Sequence, residues 1–179
     1  MNFKNILTVA AFVSAAVISQ VASADGTTSS ATVSSSATLV RPVTVTKDSD
    51  LAFGTIVLPS AGSGSVTLAT NGTFTVTGTG AAGLASSTKT VGGFTVSGEG
   101  GMAITVTVPA TFALSASGQP DLTVTTSNDM TGASTAQTLS NALGSAGVLA
   151  VKVGGSFPIS STTATAAYAG SFQVTAAYN

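Results

Sequence analysis

Threonine alternating with a bulky apolar residue is the pattern that most restricts this chain. It recurs in Thr44-Val45-Thr46, Val66-Thr67-Leu68, Phe74-Thr75-Val76, Phe94-Thr95-Val96, Ile104-Thr105-Val106-Thr107-Val108, Leu122-Thr123-Val124-Thr125 and Phe172-Gln173-Val174-Thr175. A period of two sends successive side chains to opposite faces of a strand, one face wet and hydroxylated, the other apolar. Turn signals separate the runs: Pro59 to Gly64, Gly78 to Gly83, Ser97-Gly98-Glu99-Gly100-Gly101, Ser117 to Pro120 and Val153-Gly154-Gly155. Thr70-Asn71-Gly72-Thr73 between two such runs predicts a hairpin with positive φ tolerated at both central residues. About nine short strands at roughly 8–12-residue spacing predict an all-β sandwich. Pro42 places the first strand at a sheet edge or at a switch between sheets. Ala133 to Ala146, rich in threonine and serine, predicts a loop or at most one helical turn.

Composition removes most chemistry. The 179 residues contain no cysteine and no histidine, which excludes disulfides, thiolate and imidazole metal sites, and histidine-based triads. Charged residues make up 6% against 44% hydrophobic, a balance that predicts a folded chain. No basic stripe is present to neutralise phosphates or anionic lipid, so nucleic acid and membrane surfaces are not expected partners.

The first 24 residues read as an export signal. Lys4 supplies a basic start, Ile6 to Ile18 an apolar run of 13 residues, and Ala22-Ser23-Ala24 a small-residue cleavage site. Thirteen helical residues rise only about 20 Å, short of the roughly 30 Å of a hydrocarbon core. Removing 24 residues leaves 155, a suitable length for one domain, with four basic and six acidic residues. The organisation expected is a signal peptide over 1–24, an extension over 25–36 and a sandwich over 37–179.

Catalytic constellations are missing from the pattern. Asp48-Ser49-Asp50 is the only acidic pair, and a calcium site needs six or more oxygens, so a solvated turn is expected. Ser86-x-x-Lys89 matches a serine–lysine spacing by letter but has no companion motif and lies in a glycine- and serine-rich stretch. Asn71-Gly72-Thr73 is a glycosylation sequon that the hairpin already explains. No enzyme, cofactor, metal or small-molecule substrate is expected.

The two ends carry the most information. Tyr168 to Asn179 alternates to the last residue, with Phe172, Val174, Ala176 and Tyr178 on one face, and predicts a terminal core strand. Thr27, Ser29, Ala31, Val33 and Ser35 alternate near the start of the exported chain with strand character but little bulk. The terminal strand, with a glycine before it and a tyrosine one residue from the end, resembles that of chaperone–usher pilins. Pro42-Val-Thr-Val-Thr-Lys-Asp-Ser-Asp-Leu51-Ala-Phe53-Gly54-Thr-Ile56, then Val153-Gly154-Gly155 and Tyr178-Asn179, are more specifically similar to the secreted bacterial domain-of-unknown-function 4402 family (DUF4402), itself related to archaic fimbrial and spore-coat-U type subunits.

That resemblance implies an immunoglobulin-like, pilin-type sandwich that is incomplete, with a groove beside Phe172, Val174, Ala176, Tyr178 and Asn179. It implies a donor strand at Thr27, Ser29, Ala31, Val33 and Ser35. The implied partners are other copies of the chain, a periplasmic chaperone and an outer-membrane usher, and the implied destination is the cell surface by way of the periplasm. The function expected is a structural subunit of a surface fibre assembled by donor-strand exchange. The rival reading is a free-standing secreted sandwich that binds a surface glycan or protein.

Overall fold

A computed structural model describes residues 28–131 and 134–179. The export-signal reading of residues 1–24, and Thr27 of the extension, lie outside the described residues. Residues 28–37 carry no strand and are exposed. Thr38–Asn179 forms a compact unit of its own. Among the described residues the only helical element is one short 3₁₀ turn, Ser134–Ala136, so the unit is all-β.

Its strands are β1 (Thr44–Ser49), β2 (Ile56–Val57), β3 (Ser63–Leu68), β4 (Phe74–Val76), β5 (Ala82–Gly83) and β6 (Gly92–Glu99). β7 (Ala103–Thr107), β8 (Thr111–Leu114), β9 (Leu122–Asn128), β10 (Gln137–Thr138), β11 (Ala146–Ser160) and β12 (Thr175–Tyr178) follow. Every pairing is antiparallel. The main sheet runs β1-β6-β11-β3-β4, with β9 also on β11 and β8 on β9; β10-β7-β12 forms a second sheet and β2-β5 a third.

The 15-residue β11 organises this arrangement. Val153 pairs with Gly92 of β6 and with Asn128 of β9, so those two strands occupy opposite edges of β11. Gly155 pairs with Thr126 of β9 and with Leu68 of β3, so β3 takes over the edge that β6 leaves. The first half of β11 thus belongs with β1 and β6, and the second half with β3, β8 and β9. Two apolar clusters follow. Phe94, Val96, Ile104, Val106, Leu139, Val151 and Val153 fill the space between the β1-β6-β11 face and the β10-β7-β12 sheet. Phe53, Val66, Leu68, Val124, Phe157 and Ile159 fill the other half, where Phe53 and Phe157 meet edge to face at 5.0 Å.

Several turn expectations need correction. Val153-Gly154-Gly155 is no break: all three residues are buried inside β11. A Cβ at Gly154 would lie 2.2 Å from the Leu68 carbonyl oxygen, and one at Gly155 2.8 Å from a Val124 methyl. These glycines let three strands pass close together rather than turn the chain. Ser97, Gly98 and Glu99 likewise stay in β6, and the reversal begins at Gly100. Strands β3 and β5 begin within the Pro59–Gly64 and Gly78–Gly83 segments. The β3–β4 hairpin forms at Asn71-Gly72, but only Gly72 has positive φ; its N–H donates to the Ala69 carbonyl, and Asn71 accepts from the Thr73 N–H. The expected edge role of the Pro42-led strand is what the fold shows, since β1 pairs with β6 alone.

Candidate functional site

The candidate site lies along the seam between the first strand segment and the last. Ala169 exchanges both backbone hydrogen bonds with Ser115, and the Asn179 N–H donates to the Ala103 carbonyl. In an antiparallel pair, both backbone groups of a residue point to one side and those of the next residue to the other. Ala169 and, by the register of β12 on β7, Thr175, Ala177 and Asn179 therefore face β8 and β7, Ala176 and Tyr178 direct their backbone groups the opposite way, and the same alternation carried through 170–174 turns Gly170, Phe172 and Val174 that way too. Among the described residues no strand pairs with that side.

Apolar side chains floor the same seam. Val45 and Lys47 of β1, Phe94 of β6 and Phe172 to Thr175 line an open cleft of about 440 Å³. Phe172 stacks on Phe112 at 4.9 Å and meets Phe94 at 5.9 Å, which holds the terminal segment against both the floor and β8. Further along, residues 51–56 and Leu58 face residues 163–170 across a second cleft of about 710 Å³, floored by Leu114, Leu122, Phe157 and Ile159. As the first segment runs forward the last runs backward, so both clefts lie along one line.

A polar knot closes the end of the seam near the C-terminus. The only arginine and the only glutamate of the sequence meet there: Arg41 Nη1 lies 2.9 Å from Glu99 Oε2. Glu99 is 3% exposed although it stands on the outward side of β6, because Arg41 and the turn at Gly144 cover it. The Gly144 N–H donates to its carboxylate and, opposed by burial, holds its pKa below the ordinary carboxylate value; the backbone N–H and guanidinium of Arg41 act in the same direction. Tyr178 Oη accepts from the Glu99 N–H at 2.6 Å and donates to the Arg41 carbonyl at 2.8 Å. Gly98 is what admits that hydroxyl, since a Cβ there would sit 2.4 Å from it.

The residues singled out from sequence fall as follows. Phe172, Val174, Ala176 and Tyr178 are half-buried against the first cluster, on one face as expected, although regular pairing with β7 covers only Thr175–Tyr178. Asn179 is exposed and its Oδ1 lies 2.6 Å from Thr105 Oγ1. Ser29, Ala31, Val33 and Ser35 are exposed and outside any strand. Asp48 accepts from Thr95 and Asp50 from Lys47, so the D-x-D pair is engaged in separate contacts. Lys89 reaches the Leu84 carbonyl and sits 5.4 Å from the centre of the Phe74 ring. The Arg41–Glu99–Tyr178 knot was not foreseen. Its available signal was the solitary occurrence of each charged residue type in a chain that otherwise avoids charge.

The span from β1 to β12 coincides with a family model. Residues 43–178 match the model described as Domain of unknown function (DUF4402). The chain belongs to the DUF4402 family. No curated protein and no solved structure matches it. In this DUF4402 chain the matched residues include both walls of the seam and Tyr178, and they leave residues 28–42 outside.

Proposed function

We propose that this DUF4402 protein is a structural, non-enzymatic subunit of a bacterial surface fibre, related to chaperone–usher pilins and assembled by donor-strand exchange. The observation that supports the reading is the unpaired edge at Gly170, Phe172, Val174, Ala176 and Tyr178 above two apolar clefts. An open edge over an apolar floor is the geometry of a sandwich that lacks one strand. A strand laid into it gains backbone hydrogen bonds worth about 0.5–1.5 kcal/mol each, together with burial of its inward side chains. Each subunit would offer its extension to the next, a head-to-tail contact that propagates as a filament. Until then the exposed edge invites aggregation, which gives a periplasmic chaperone and an outer-membrane usher their roles.

The test is electrophoresis of the exported protein in detergent without boiling. The expected result is a ladder of multimers that collapses to monomer on boiling. Deleting residues 25–36 abolishes the ladder and leaves the β-type circular dichroism spectrum unchanged. A full-length chain that stays monomeric without any chaperone would overturn the reading and favour the free-standing binding module.

A further inference from the structure

We infer that the strand entering the seam is the segment Val33–Leu39 of a second copy, running antiparallel to the terminal segment, with Val33 opposite Val174 and Leu39 opposite Tyr168. The inference rests on the strand-exchange reading above and extends the donor past the 25–36 segment.

Val33 and Leu39 are the two most exposed large apolar side chains in the described chain, at 87% and 88%. Two such groups on one extended strand are suited to insertion side by side into an apolar groove. They are six residues apart, so an extended strand places both on one face about 20 Å apart. Val174, in the smaller cleft, and Tyr168, in the larger, are also six residues apart. Spacing alone permits either direction, and either cleft admits either side chain; matching the larger side chain, leucine, to the larger cleft of about 710 Å³ and valine to that of about 440 Å³ favours the antiparallel direction.

The intervening pairs agree with that register. Ser35 comes opposite Phe172 and Ala37 opposite Gly170, so a small donor residue meets the large ring and nothing is forced together. The parallel alternative sets Leu39 in the smaller cleft. Residues 28–40 carry no charge, so burying the strand strips no ion of water. Two residues further on, Arg41 is held by Glu99 and Tyr178, which anchors the chain just past the donor strand to its own subunit.

The absence of native cysteine makes disulfide trapping a clean test. Single-cysteine variants of the full exported chain are mixed in pairs, assembled, oxidised and run on a non-reducing gel. The antiparallel register predicts cross-linked dimers for Thr32→Cys with Thr175→Cys and for Thr38→Cys with Ala169→Cys, all at exposed positions. It predicts none for the pairs that a parallel strand would create, Thr32→Cys with Ala167→Cys and Val40→Cys with Thr175→Cys. Cross-links in the second set alone would overturn the direction while leaving strand exchange standing. Boiling-sensitive multimers without any of these cross-links would overturn the register and leave exchange standing. A mixture that remains monomeric before and after oxidation would overturn both.

Discussion

A carboxylate with 3% exposure in a chain that is 6% charged demands compensation, and Glu99 receives it from three directions. The Gly144 N–H and the backbone and guanidinium of Arg41 hold the ionised form, while burial opposes them. Because the folded pKa lies below its ordinary value, ionised Glu99 favours the folded state above the ordinary carboxylate range. That contribution is lost as pH falls through the folded value. Thermal unfolding of the wild-type protein should therefore shift downward on acidification. Glu99→Gln should unfold at a lower temperature at pH 7 and show a smaller shift between about pH 6 and pH 3. Equal acid shifts in the two proteins, followed by circular dichroism, would show that the carboxylate contributes nothing. The pairing was legible only in part. Sequence marks Arg41 and Glu99 as solitary, but they are 58 residues apart, and the tyrosine whose hydroxyl bridges their backbones stands near the opposite end of the chain.

At the scale of elements, period-two alternation foretold most strands because it records burial directly, and the terminal run shows the same rhythm in its exposure. It failed where glycine entered a strand. Gly98, Gly154 and Gly155 read as turns because glycine usually marks one, yet each sits in a strand at a point where another group needs the volume of its missing Cβ. Local sequence carries no trace of that neighbour. The distinction is measurable at Gly154, whose added methyl would press on the Leu68 carbonyl, a backbone atom fixed by the pairing of β3 with β11. Gly154→Ala should destabilise the domain by about 3 kcal/mol, the upper part of the range for overpacking a close-packed interior. Gly118→Ala, at a turn with open space around it but φ of +71°, should cost only about 1 kcal/mol. Urea midpoints for the two variants check the order, and a larger loss at Gly118 would contradict the passing-strand account of the Gly-Gly pair.

For the molecule as a whole, the scarcity of charge sets how a junction between subunits would behave. Both walls of the seam are mainly apolar, Lys47 is the one charged residue among the described residues lining either cleft, and the proposed donor has no charge at all. Attraction between copies would come from buried apolar area and backbone hydrogen bonds, neither of which salt screens. Ion-paired assemblies behave differently, since raising ionic strength from about 0.1 M to 1 M cuts the screening length from about 10 Å to 3 Å. Durability would then reside in slow dissociation, as suits a chain without cysteine. On the strand-exchange proposal, assembled multimers should thus lose subunits at rates that agree within about twofold across that range of sodium chloride, while urea, which solvates apolar and peptide groups, should speed the loss steeply. Release of fluorescently labelled subunits into unlabelled excess measures both. A release rate that climbs tenfold or more with salt would place charge at the junction and remove the apolar seam from its role in assembly.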